Sequence, residues 1–146
     1  KRQVGVVSLA YTSEKTLAGG GSSYMYLSRK LKAFAATVGG RSQMAVEAFA
    51  EALEIIPATL AENSGLDPLD TLIELRQAHS ADDNYAGVNV YEGGTINMVD
   101  EGVIEPFTVV SQAIQSAAET AAMILRIDNI ITAKKLAEIG EDGFQY

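Results

Sequence analysis

A chain of 146 residues with 47% hydrophobic content is long enough to bury one core and little more, so a single domain is expected. Its formal charge of -8, with only 11 scattered Lys and Arg residues, excludes a surface built for nucleic acid or an anionic membrane. Cysteine is absent, which excludes a disulfide framework and a thiolate zinc site and fits a reducing cytoplasm.

No apolar run reaches membrane-spanning length, and the opening KRQVGVVSLAYTSEK is too weakly apolar for a signal peptide. Residues 4–9 read as a short strand. A polar passage over 12–16 then leads to Leu17, Ala18 and three consecutive glycines, Gly19, Gly20 and Gly21. Such a run either brings backbone close to a ligand, since a missing Cβ admits a phosphate or sugar, or forms a flexible strand-to-helix turn. Ser22 or Ser23 can cap the next helix, where Tyr24, Leu27, Leu31, Phe34, Ala35 and Val38 fall at helical spacing before Gly39 and Gly40 end it.

Residues 41–65 form the longest apolar helix of the pattern. Met44, Val46, Phe49, Leu53, Ile55, Ile56 and Leu60 spread over more than one face, so neighbours are expected on several sides. Glu47, Glu51, Glu54 and Glu62 mark the more solvated strip. Pro57 removes a hydrogen bond to the Leu53 carbonyl, and Gly65 is the expected left-handed stop. Asp67 is a good N-cap for a helix starting at Pro68, with Asp70 favouring its positive end and Leu69, Leu72 and Ile73 toward the core. His79 closes that helix. As the sole histidine, with no nucleophile motif beside it, it reads as structural rather than catalytic.

Val88 and Val90, then Ile96 and Met98, alternate with polar residues about Glu92, Gly93 and Gly94, the pattern of a β-hairpin. Pro106 marks the start of a long Ala-rich helix carrying Val109, Val110, Ala113, Ile114, Ala117, Ala118, Ala121 and Ile124. Its end is expected to run into a strand over residues 127–131. Beyond Ala133 the pattern is charged and without period, which reads as a mobile tail.

Taken together, LAGGG, AVEAFAEALEIIPATLAENSGLDPLDTLIELR, GVNVYEGG and GVIEPFTVVSQAIQSAAETAAMILRIDNII resemble consecutive signatures of the group II chaperonins, the archaeal thermosome family. They cover residues 17–133. The resemblance implies a mainly α fold: a helical equatorial-domain layer with a small β-hairpin and a C-terminal strand. On that basis residues 1–17 are an atypical lead-in, 18–133 an equatorial nucleotide-binding half-domain, and 134–146 the tail.

The same resemblance implies ATP or ADP as the ligand. Gly19, Gly20 and Gly21 would lie against the nucleotide, Gly87, Asn89 and Val90 by the adenine with Tyr91 adjoining, and Glu105 at the ribose hydroxyls. The chemistry of the residues agrees, because a carboxylate accepts hydrogen bonds from two vicinal hydroxyls and an amide pairs with a base. Glu105 also suits the start of the Pro106 helix through the helix dipole. The partners implied are other chaperonin subunits or further copies of the chain, with unfolded polypeptide reached only through an apical domain.

Departures from the family are equally specific. Nothing corresponds to its Gly-Asp-Gly-Thr-Thr phosphate and magnesium loop, since Asp142 and Gly143 stand without the threonines. Residues 1–18 hold no aspartate and one acid, Glu14. Tyr24, Met25 and Tyr26 follow the glycines where family members carry glutamate. No catalytic or metal-binding residue is therefore assigned, and magnesium belongs to a complete subunit. The alternative reading is a structural, self-associating module that keeps the equatorial packing without hydrolysis.

Overall fold

The computed structural model describes residues 4, 5, 7, 8 and 15–141, with side chains described as far as 127. In chain order the elements are β1 (Thr16–Ala18), α1 (Ser22–Val38), α2 (Gly40–Asn63), α3 (Pro68–Ser80), β2 (Ala86–Val88), β3 (Thr95–Asn97), β4 (Ile104–Pro106) and α4 (Phe107–Glu141). The fold is mainly α, with β1 antiparallel to β4 and β2 antiparallel to β3. The chain divides into two compact units, Lys1–Pro106 and Phe107–Tyr146.

In the first unit α1 packs along α2, and α3 packs against both. Small residues permit this. The buried stripe of α1 is Ser22, Met25, Ser28 and Ala35, while Phe34 and Val38, expected inside, are exposed. The buried stripe of α2 is Ala50, Leu53, Glu54, Pro57 and Ala61, which recur at helical spacing on one face. Met44, Ile55 and Ile56 are exposed, so the first unit covers α2 on one side and not on several.

Glu54 corrects the expected solvated strip. Its carboxylate is buried and accepts from Ser28 Oγ at 2.7 Å, Lys32 Nζ at 2.6 Å and Arg76 Nε at 3.1 Å, with Arg76 Nη2 closer still. Burial alone would raise its pKa, but the Arg76, Lys32 and Ser28 hydrogen bonds outweigh it and hold the carboxyl below its ordinary value. One side chain thus ties α1, α2 and α3 together.

Local signals place the ends of these helices. At the end of α2, Gly65 has φ 79°, its N–H donates to Glu62 O at 3.0 Å, and Leu66 N–H donates to Ala61 O at 2.9 Å. These are the paired bonds of a glycine-terminated helix. Asp67 Oδ1 accepts from the amides of Leu69 at 2.8 Å and Asp70 at 3.0 Å, capping α3 as its sequence predicts. The phase of α3 differs from expectation: Thr71, Leu75 and His79 are buried, whereas Leu69 and Ile73 turn away and are exposed. Polar Thr71 and His79 disguise that inner face. The core joins Met25, Ala61, Leu75 and Val88, with Leu60, Leu66, Leu72 and Val90 packed on it.

The β1–β4 pairing has no counterpart in the sequence pattern, where Thr16 reads as the end of a polar passage. Leu17 faces Glu105 and Ala18 faces Ile104, while Pro106 occupies the end of its strand, where a missing N–H is tolerated. Two further expectations are corrected. Helix α4 continues to Glu141, replacing both the strand at 127–131 and the tail as far as 141. Ala, Leu, Lys and Glu are good helix formers, and no proline interrupts them. Val4, Gly5, Val7 and Ser8 are helical, not extended, because a short apolar run carries no period that separates strand from helix. Glu14, Asp142 and Gly143 lie outside the described residues. Among the described residues no helix is long and apolar enough to cross a membrane.

Candidate functional site

The β1 strand delivers the chain to the glycines. Gly19 N–H donates to Val103 O at 2.9 Å, and Ser22 N–H closes the turn on Gly19 O at 3.0 Å. Gly20 and Gly21 have φ of 60° and 78°, a left-handed backbone that favours glycine. A Cβ on Gly20 would lie 2.4 Å from Met98 Sδ, one on Gly21 2.7 Å from Pro57 Cβ, and one on Gly19 2.9 Å from Val103 Cγ1. The space released by the missing side chains is therefore taken up by the protein's own packing, which draws hairpin, α2 and β4 onto the loop. Gly21 occupies the N-cap of α1 without a side-chain cap. The two serines expected there instead tie the turn down, Ser22 Oγ to Asn84 O at 3.1 Å and Ser23 Oγ to Ala18 O at 2.7 Å.

The hairpin meets this loop backbone to backbone. Val88 N–H donates to Gly20 O at 2.9 Å. At Gly87 a Cβ would come within 2.5 Å of Met98 Cγ, 3.0 Å of Gly20 O and 3.1 Å of Gly19 O. Next along the chain, Asn89 accepts at Oδ1 from the amides of Tyr91 and Glu92, both at 3.2 Å, so this oxygen shapes the turn and Nδ2 remains as the side chain's donor. Val90 packs on the core cluster, and Tyr91 is 94% exposed.

Glu105 sits across from Leu17 in the β1–β4 pair, two residues beyond the Val103 that holds Gly19. It is half-buried, and burial pushes its carboxyl up from the ordinary range. Tyr24, in the first turn of α1, has its phenol pushed up by burial and then by the Glu105 charge, so the two groups share one electrostatic neighbourhood. The geometry thus gathers Gly19, Gly20, Gly21 and Gly87 by direct packing and brings Glu105 beside them through the strand pair. Asn89 lies one residue beyond the Val88 contact, and Val90 is turned to the core. Sequence reasoning missed Met98, Val103 and Pro57, the side chains on which the glycines close. It also missed any link between Tyr24 and Glu105.

His79 flanks the hairpin. Its imidazole is buried, with Nε2 2.9 Å from Ala86 O, an oxygen that can only accept. Nε2 therefore carries the proton, and Nδ1 is a buried acceptor without a partner among the described residues. Burial, the larger effect, holds the imidazole below its ordinary 6.5 against the pull of the Ala86 carbonyl. Among the described residues no group of three His, Cys, Asp or Glu side chains is arranged to hold a metal ion.

Comparison with known proteins supplies a family context for this arrangement. The sequence pattern of the TCP-1/cpn60 chaperonin family matches residues 3–135. A thermosome subunit of Methanopyrus kandleri is 53% identical over 135 residues, covering 92% of this chain and 25% of the relative. Thermosome subunit 1 of Haloferax volcanii is 54% identical over 134 residues, covering 92% of this chain and 24% of the relative. The chain spans about a quarter of the length of these relatives. Among solved structures, the open state monomer of a group II chaperonin from Methanococcoides burtonii matches with a TM-score of 0.74 and 51% identity, over 77% of this chain and 28% of that one.

Proposed function

Since the chain belongs to the TCP-1/cpn60 chaperonin family, we propose that it forms the nucleotide-binding equatorial portion of a thermosome-like, ATP-driven folding machine of the cytoplasm. The observation that carries this reading is the seating of the 19–21 glycines on Gly87 and Val88, with the half-buried Glu105 carboxylate on the adjoining strand. In this reading the loop, half-buried at Gly20 and buried at Gly19 and Gly21, lies against the phosphate or ribose edge. Glu105 accepts from vicinal ribose hydroxyls, and Asn89 Nδ2 donates to the base with Tyr91 alongside. ATP supplies the free energy of the cycle in a complete subunit, where magnesium also belongs. This chain's own residues bind and orient the nucleoside. The expected affinity for ADP is about micromolar to millimolar, because sugar and base contacts act without a phosphate clamp. Titration calorimetry with ADP and with adenosine tests this: saturable binding by both, weakened by Glu105→Ala, supports it, and no heat at millimolar ligand refutes it.

A second reading, a self-associating module, is favoured by a separate observation. In the first unit Phe34, Val38, Met44, Ile55, Leu69 and Ile73 are each at least 42% exposed. Apolar exposure on this scale draws a partner surface, here another chaperonin subunit or another copy of the chain. Sedimentation at several concentrations distinguishes the cases, since a strict monomer at high protein concentration removes the module reading and leaves nucleotide binding untouched.

A further inference from the structure

We infer that Arg29 is a positioning residue for the hairpin side of the site, acting by holding the 81–85 loop against α1. Its relevance to ligand binding rests on the nucleotide reading above, whereas its hold on the loop does not. The glycine side of the site is fixed directly at the N-terminus of α1, because Gly21 is that helix's N-cap. The hairpin side reaches the same place by a longer route, through the loop that joins α3 to β2. Arg29, two turns into α1, crosses to that loop.

Its guanidinium donates to His79 O, to Asn84 Oδ1 at 3.0 Å, and to Asp82 Oδ1 at 3.3 and 3.4 Å. The bond to His79 O also places a cation at the carbonyl end of α3, where the helix dipole favours one. Asn84 is gripped from both ends, since Ser22 Oγ donates to its carbonyl at 3.1 Å. Between these anchors Asp82 takes φ 64°, a left-handed conformation that a non-glycine residue holds only where its surroundings support it. A planar fork of five donors satisfies such a spread of acceptors, and an ammonium at the same place cannot.

The strand beyond the loop has no slack. Tyr85 O accepts from Met98 N–H at 3.0 Å, Ala86 O faces His79 Nε2 at 2.9 Å, and Val88 N–H reaches Gly20 O at 2.9 Å. At Gly87 an added methyl group would meet Met98 Cγ at 2.5 Å and press on the carbonyls of Gly20 and Gly19 at 3.0 and 3.1 Å. Release of the loop therefore removes the support at the start of the strand that presents Gly87 and Asn89 to the glycine turn, and leaves it to these contacts alone. The Asp82 pair contributes little to this, because its carboxylate is 85% exposed.

Hydrogen exchange read by NMR tests the hold on the loop. In Arg29→Ala the Val88 amide is expected to exchange roughly tenfold faster than its counterpart in the parent chain, the loss expected of one charge-assisted bond, while the Leu75 amide in α3 changes far less. Arg29→Lys falls between, and Asp82→Asn matches the parent. If Arg29→Ala does not fold, Ser22→Ala removes the other grip on Asn84 and is expected to loosen Val88 selectively. Equal acceleration at Val88 and Leu75, or none at Val88, overturns the inference. ADP titration then separates the two layers. Absence of binding by the parent chain sinks the nucleotide reading and leaves the exchange result standing, whereas binding that is equally tight in parent and Arg29→Ala overturns the role in positioning the ligand site.

Discussion

Replacing Glu54 by alanine probes how a buried carboxylate organises α1, α2 and α3. Lys32 and Arg76 have side chains 37% and 49% exposed, so both turn to water when Glu54 is gone. Each such loss is worth about 0–1 kcal/mol. Ser28 has no such escape, because it is fully buried and its hydroxyl points at the missing oxygen. An orphaned buried hydroxyl costs about 1–3 kcal/mol, and the vacated volume between helices adds roughly 1 more. The expected total is about 3 kcal/mol, which for a chain of this size lowers Tm by roughly 6–12 °C. Urea unfolding followed by far-ultraviolet circular dichroism measures it. Ser28→Ala in the Glu54→Ala background removes the orphan and is expected to recover about 1 kcal/mol. A cost below about 1 kcal/mol for Glu54→Ala, or a Ser28→Ala penalty that adds in full, would refute the reasoning.

Acidification provides a second measure of the same group. A carboxyl held below its ordinary 4.5 stabilises the fold fully above that value and loses the contribution as pH falls through the lower folded value, so Glu54→Gln flattens this part of the pH profile. His79 acts earlier on the same descent. Its imidazole is held below 6.5, so the unfolded chain takes the proton first and stability declines once pH drops beneath 6.5, an effect absent from His79→Gln in urea midpoints compared on either side of that pH. Gly65→Ala meets nothing within 4 Å and carries only the left-handed φ, a cost of about 1 kcal/mol, whereas Gly20→Ala also meets Met98 and is expected to cost roughly 2–4 kcal/mol by thermal unfolding. Asp67→Ala removes the cap of α3 for about 1 kcal/mol, measurable by the same unfolding assay.

The sequence was most legible where structure is decided by near neighbours. Asp67 with Pro68, Gly65, and the hairpin about Gly93 and Gly94 are all signals complete within a few residues, and each stands where its pattern predicts. Glu54 was misread because its environment is made by Lys32 and Arg76, each 22 residues away and on another helix. Nothing in its own helix distinguishes it from Glu47 or Glu51. The β1–β4 pair was invisible for a similar reason, since three-residue strands so far apart in sequence define each other only once paired. At the C-terminal end the isoleucines suggested a strand, yet among the described residues no turn interrupts α4 at 127–131 and no strand pairs with that stretch. The candidate site residues were readable as a set only through the family resemblance, because 13 glycines are spread along the chain and two of its three prolines follow an acid. Their supports were not: Arg29 reaches Asn84 from a solvent-facing pattern, and Met98 looks like any other hairpin residue.

The central claim, that the 19–21 glycines, Gly87, Asn89 and Glu105 make one adenine-nucleotide surface, is tested most directly by amide chemical-shift mapping during an ADP titration. The account predicts that the amides of these residues shift together along a single saturable curve, while those of the Gly39 and Gly65 turns stay in place. Shifts scattered over the surface without saturation, or a saturable set centred elsewhere on the chain, would contradict it.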